Sequence, residues 1–65
     1  MSESAEELKA RVKKLSVQAT NWKMNLHDLS EELPMNWEKI METAQKTHDI
    51  YAALTEARKQ LAALE

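Results

Sequence analysis

Two histidine–aspartate pairs, His27-Asp28 and His48-Asp49, carry the side chains in this 65-residue chain best suited to acid–base or metal chemistry near neutral pH. The two have similar company, Leu26 and Leu29 around one, Thr47 and Ile50 around the other. Neighbouring residues on a helix point about 100° apart, so neither pair is aimed as a catalytic dyad. His27 and Glu31, by contrast, are spaced i, i+4 and can offer two ligands to one divalent metal, with His48 and nearby carboxylates as a further source. The di-iron bundle signature, Glu three residues before His, is absent at both histidines. There is no cysteine, no glycine loop for phosphate, and no nucleophile with an adjacent base. The expectation is a chain that is not an enzyme, with no catalytic residue and no cofactor. The chemical alternative is a divalent metal ion held by His27 with Glu31, or by His48 with nearby carboxylates.

The elements that must position these groups are legible from an apolar stripe: Leu8, Val12, Leu15, Ala19, Trp22, Leu26, Leu29 and Leu33, stepping by four and three. Those steps are a heptad seam, and they stop at the only proline, Pro34. A second stripe follows through Trp37, Ile40, Ala44, Thr47, Tyr51, Leu54 and Leu61, with Arg58 at the one charged seam position. Met41, Ile50, Ala57 and Leu64 flank it. Ser4 and Glu7 form a capping-box pattern ahead of the first helix, and Asn36 is placed to cap the second. The expected fold is all-α, one domain over residues 1–65. It is an antiparallel, coiled-coil-like helical hairpin: helix over about 5–33, turn at 34–36, helix over about 37–64. Folding about the turn sets Leu29 opposite Ile40, Leu26 opposite Ala44, Ala19 opposite Tyr51, Leu15 opposite Leu54 and Arg58 opposite Val12. Trp22 then comes near Thr47 and His48.

A lone hairpin gives each helix one neighbour and leaves much of its apolar surface wet, which a chain of this size can ill sustain. Two hairpins are therefore expected to dimerise into a four-helix bundle. Charge is sorted along the rod. Lys9, Arg11, Lys13, Lys14, Arg58 and Lys59 lie towards the open end, and Asp28, Glu31, Glu32, Glu38 and Glu42 surround the turn. An antiparallel dimer sets acidic ends beside basic ends. No apolar run approaches the ~18 residues of a membrane span, and the start, Met1 to Glu7, is acidic and not the basic start of a signal peptide. A cytoplasmic protein is expected, which the lack of cysteine fits.

Two surfaces could serve partners. In the seam's phase Met24, His27, Asp28 and Glu31 fall on the outer face of the first helix. Trp37, one turn past the loop beside Pro34 and Met35, is hard to bury and suits a docking anchor. The six basic residues of the open end are the candidate RNA-binding set. A net charge of −2 and the lack of an aromatic within the basic run weigh against nucleic acid.

The run Trp22-Lys23-Met24-Asn25-Leu26-His27-Asp28-Leu29-Ser30-Glu31-Glu32-Leu33-Pro34, continuing through Met35-Asn36-Trp37-Glu38-Lys39-Ile40-Met41, resembles the Rop-like small proteins of nitrogen-fixation gene clusters near the NifX gene. Its most specific part is Lys-Met-x-Leu-His-Asp-Leu leading into Glu-x-Leu-Pro. The resemblance implies a helical hairpin in a nitrogen-fixing cell, accessory to nitrogenase assembly or its cofactor pathway, with another nitrogen-fixation protein as partner. It carries over no catalytic residue. The likeness to a plasmid-copy-number RNA-binding protein concerns architecture, and shared fold does not transfer function.

Overall fold

A computed structural model describes residues 4–65; the expectation for Met1 to Glu3 as part of an acidic start lies outside them. Two helices make up the fold: α1 is Ala5–Glu32 and α2 is Ile40–Leu64, preceded by one 3-10 turn at Trp37–Lys39. They run antiparallel as a rod with extents of 45 × 15 × 15 Å. The long dimension is that of one helix of 28 residues, about 42 Å at 1.5 Å per residue.

The ends form for local reasons. Ser4 is extended at φ −68° and ψ 160°, and its Oγ accepts from Glu7 N at 3.1 Å, satisfying one of the orphan donors of the first turn. Glu6 and Glu7 place negative charge at the positive end of the helix dipole. α1 stops at Glu32, because the residue before a proline is pushed out of the α region, and Leu33 sits at φ −54°, ψ 142°. The Leu33-Pro34 bond is cis. Met35 N donates to Glu32 O at 3.0 Å, and Lys39 N to Asn36 O at 3.0 Å. Asn36 does precede the second arm, yet it caps nothing with its side chain. Its role is conformational: at φ 61° it occupies the left-handed region that Asn tolerates better than other residues bearing a Cβ.

The seam of α1 packs in the expected phase. Leu8, Ala19 and Leu29 are buried, and Val12, Leu15, Trp22 and Leu26 are half-buried between them. Leu33, past the helix end, is exposed. The seam of α2 departs from expectation. Its buried residues are Leu54 and Ala57, and the half-buried ones include Ile40, Thr43, Thr47, Ile50 and Leu61. Ile50 and Ala57, expected on the flank, therefore face α1, and Trp37, Tyr51 and Arg58, expected in the seam, lie outside. The helix is turned about its axis by about 50° from that phase, half the 100° between neighbouring residues, and Ala44 stays half-buried. The reason lies in the side chains exchanged. This phase keeps a guanidinium and a phenol in water and brings Ile50 and the small Ala57 inward, where no polar group has to be desolvated.

A polar link spans the middle of the seam. Thr47 Oγ1 lies 2.8 Å from Thr43 O and 3.3 Å from Trp22 O, so its single hydrogen is shared between its own helix and α1. Lys46 Nζ sits 5.2 Å from the centre of the Trp22 ring, covering that edge of the seam with a cation–π contact. On the other edge Arg58 Nη2 reaches Ser16 Oγ at 3.4 Å, and Lys9 Nζ is 3.9 Å from Glu65 Oε2, tying the open ends together.

Candidate interaction surface

A helix packed through one seam must turn its remaining faces outwards, and α1 does so with Met24, His27, Asp28 and Glu31. All four are exposed, Met24 by 53%. Positions 24, 27, 28 and 31 recur at three- and four-residue steps, so they form one continuous strip two turns long. His27 Nε2 is 3.0 Å from Glu31 Oε1 across one turn. The pair is open to solvent on both sides, so it orders the two side chains and adds little to stability. Ser30 Oγ donates to His27 O at 2.6 Å. Trp37 stands across the turn on the second arm, 65% exposed, near in sequence to Met35 at 70% and Met41 at 80%.

The second histidine behaves differently. His48 Nδ1 lies 3.2 Å from Asp49 Oδ1, and the same oxygen accepts from Gln45 Nε2 at 2.8 Å. Neighbouring residues on a helix diverge by about 100°, which disfavours such a pairing. Nδ1, however, lies close enough to the backbone for the ring to swing towards the next residue. Asp28 has no such part with His27, whose ring instead takes Glu31 one turn on. The hydrogen bond from His48, followed by that from Gln45, holds the Asp49 carboxyl below the usual carboxylate range. Such a depression contributes stability above the unfolded carboxyl's pKa, and the contribution is lost as pH falls through the folded value. His48→Ala is expected to raise the Asp49 pKa more than Gln45→Ala does, read by NMR titration of its carboxyl carbon. A larger shift from Gln45→Ala would reverse the order of the two donors.

Among the described residues no group of three His, Asp or Glu side chains converges as a metal set. His27 and Glu31 together offer two donors, and His48 stands on the other helix with Asp49. The six basic residues are all exposed, but Lys9 and Lys13 follow one strip of α1 while Arg11 and Lys14 follow another. They surround the open end and do not line a single track. Two concavities are shallow and open: one on α1 with Lys13, Ser16, Val17, Thr20 and Asn21, the other on α2 from Thr47 to Lys59. Val17 is 58% exposed, a surface residue outside the sequence-expected sites. Its signal was present, an aliphatic residue seven before Met24 and opposite the seam. No helix among the described residues is long and apolar enough to cross a membrane.

The chain is 57% identical over 60 residues to a UPF0437 protein of Azorhizobium caulinodans, covering 92% of this chain and 87% of that one. A protein of Frankia alni described as a UPF0437 protein in the nifX-nifW intergenic region is 46% identical over 44 residues, 68% of this chain and 54% of the other. Among solved structures, a structural-genomics target determined by NMR matches with a TM-score of 0.88 and 59% identity, covering 98% of this chain and 90% of that one. A crystal structure of a DUF683-family protein from the cyanobacterium Cyanothece also matches at 0.88, with 43% identity over 89% of this chain and 95% of the other. These likenesses extend through the helical hairpin and its turn, and the Rop-like family model matches residues 3–65: the chain belongs to the Rop-like family.

Proposed function

We propose that this chain is a non-enzymatic accessory protein of nitrogen fixation, a dimeric helical scaffold that presents its turn half to a nitrogen-fixation protein. The Frankia relative's place between nifX and nifW supports the process. The observation that carries the mode of action is the strip Met24, His27, Asp28 and Glu31, fully outside the hairpin's core, with Trp37 exposed across the turn. A methionine and a tryptophan left in water among ordered charged groups suit docking, since apolar burial supplies affinity and the charges select the partner. The shallow, open concavities offer no enclosed space in which a substrate could be held away from water.

A second reading has one observation in its favour. The His27–Glu31 contact at 3.0 Å already orders two donors, so a divalent ion shared with a docked partner could complete its coordination there.

One experiment addresses both. Native mass spectrometry of the untagged protein from nitrogen-fixing cells reports subunit count, metal and retained partners together. The expected species is a dimer with a partner protein attached. Met24→Ser, His27→Ala and Asp28→Ala combined are expected to leave the dimer and remove the partner, because all three lie outside the hairpin's core. Retention of the partner by that variant overturns the surface. A metal ion that disappears with His27→Ala moves the second reading ahead.

A further inference from the structure

The turn end of the rod carries charges that the fold itself opposes. The last turn of α1 holds Glu31 and Glu32 and no basic residue, at the end of the helix where the dipole is negative and favours cations. Asp28 stands one turn before Glu32, and Glu38 and Glu42 follow at the start of the second arm. Between residues 24 and 45 these five carboxylates meet one lysine, Lys39, so the chain's net charge of −2 arises here, and the remainder carries more cations than carboxylates. Little inside the hairpin offsets them. Glu42 reaches Lys46 at 3.4 Å and Glu31 reaches His27 at 3.0 Å, while Asp28, Glu32 and Glu38 make no side-chain ion pair or hydrogen bond among the described residues. A local rule broken without compensation inside the fold marks a place where something outside can supply it.

The same end leaves its most adaptable apolar side chains in water. Every described methionine lies on the surface of this half, Met24 53%, Met35 70% and Met41 80% exposed, while the buried core among the described residues is Leu and Ala alone. Trp37, 65% exposed, belongs to the same stretch. An unbranched thioether fits the shape of varied apolar side chains, and Trp anchors interfaces. The rod is 15 Å across, so a helical segment of about ten residues, at 1.5 Å per residue, crosses its end. Met35 lies past the last residue of α1 and before the first of α2, so a helix packed alongside the rod covers the flanks and leaves this end open.

We propose that the partner segment received at the turn is cationic and amphipathic: its Lys or Arg side chains meet Asp28, Glu31 and Glu32, and its apolar side chains cover Met35, Trp37 and Met41. This rests on the docking reading above and specifies the chemistry of the partner. Each half of the surface excludes a different competitor. The carboxylates repel the phosphates of nucleic acids and of anionic membranes. The methionines and the indole stay wet when a divalent ion alone is bound, so an ion answers only the charged half. A cation brought by the partner also removes the mismatch of Glu31 and Glu32 with the helix dipole, so binding gains from repulsion that the free hairpin retains.

Isothermal titration of the full chain with three short synthetic peptides, an amphipathic Lys/Leu helix, its Glu/Leu counterpart and a Lys/Ser peptide, tests the chemistry. The Lys/Leu peptide is expected to bind, the other two about tenfold or more weakly, with tryptophan emission moving to shorter wavelength as Trp37 leaves water. Glu31→Gln with Glu32→Gln is expected to weaken the Lys/Leu peptide about tenfold while the thermal midpoint holds or rises, because the substitutions relieve the clash with the dipole. Trp37→Ala is expected to weaken it similarly and to abolish the emission shift. Equal affinity for Lys/Leu and Glu/Leu overturns the charge selection, equal affinity for Lys/Leu and Lys/Ser overturns the apolar contact, and binding of none overturns the whole proposal. Native mass spectrometry keeps the two levels apart. A partner held by the native chain and lost from the Met24→Ser, His27→Ala, Asp28→Ala variant, in a protein that ignores the Lys/Leu peptide, overturns the cationic chemistry alone. A partner kept by that variant overturns the docking reading on which the proposal rests.

Discussion

Leu54→Ala lowers the unfolding free energy by about 3 kcal/mol, within the range of roughly 2–5 kcal/mol typical of buried leucines cut to alanine. Leu54 is the large buried side chain of α2, 3% exposed, and its companion in the core of that helix, Ala57, is too small to move into the space. The core is narrow. Besides Leu54 it holds Leu8, Ala19, Leu29 and Ala57 as buried apolar residues among those described, so a cavity at Leu54 has few side chains available to collapse into it. For a domain of this size the loss corresponds to a fall in the thermal midpoint of about 12–24 °C. Circular dichroism melts of both proteins at one matched concentration measure it, since the midpoint of an oligomer varies with concentration. Leu64→Ala serves as control: Leu64 is 55% exposed at the end of α2, and its change is expected to stay near zero. Equal losses at the two sites would mean that the hairpin seam is not where the stability resides.

Ala19→Asp is the more disruptive of the pair, at about 3 kcal/mol or more, because it places a charge where neither water nor a cation waits. Ala19 has no exposed surface, and the inner seam facing α1 is formed by Thr, Ile, Leu and Ala side chains. The carboxylate must either lose its charge, with its pKa driven up, or force the helices apart. Protonation relieves the penalty, so the deficit is expected to shrink as pH falls through the raised pKa, opposite in direction to the loss of the Asp49 contribution. Urea titrations at pH 7 and at mildly acidic pH test this. A pH-independent deficit would show that steric crowding at Ala19, and not charge, limits the approach of the helices. Ala63→Asp, on the exposed side of α2, is expected to be nearly silent.

Much of this architecture is legible along the chain because its signals are local. The four-and-three stripe of α1, the serine before Glu7 and the proline after Leu33 each act within a turn or two of where they stand, so the helix and its limits follow from short-range rules. α2 was harder. Heptad matching supports two phases there, one through Trp37, Ala44 and Tyr51 and one through Thr43, Ile50 and Ala57. Periodicity alone does not rank them, because both are apolar enough to pack. The choice depends on what the opposite helix buries and on which polar ends must be kept wet. The pairing of His48 with Asp49, and of His27 with Glu31 in preference to Asp28, was likewise hidden. Side-chain rotamers, and not residue spacing, decide which neighbour a ring reaches.

The sequence by itself determined that there are two helices, where they break, and that the first presents Met24, His27, Asp28 and Glu31 on its outer side. These follow from backbone preferences and from one unambiguous apolar period. Only the tertiary structure decided which face of α2 turns inwards, and with it that Trp37, Met41 and Tyr51 stay on the outside. The physical reason is that rotating a helix about its axis leaves its own hydrogen bonds unchanged. Its phase is set by the contacts and desolvation that exist only once the two helices meet.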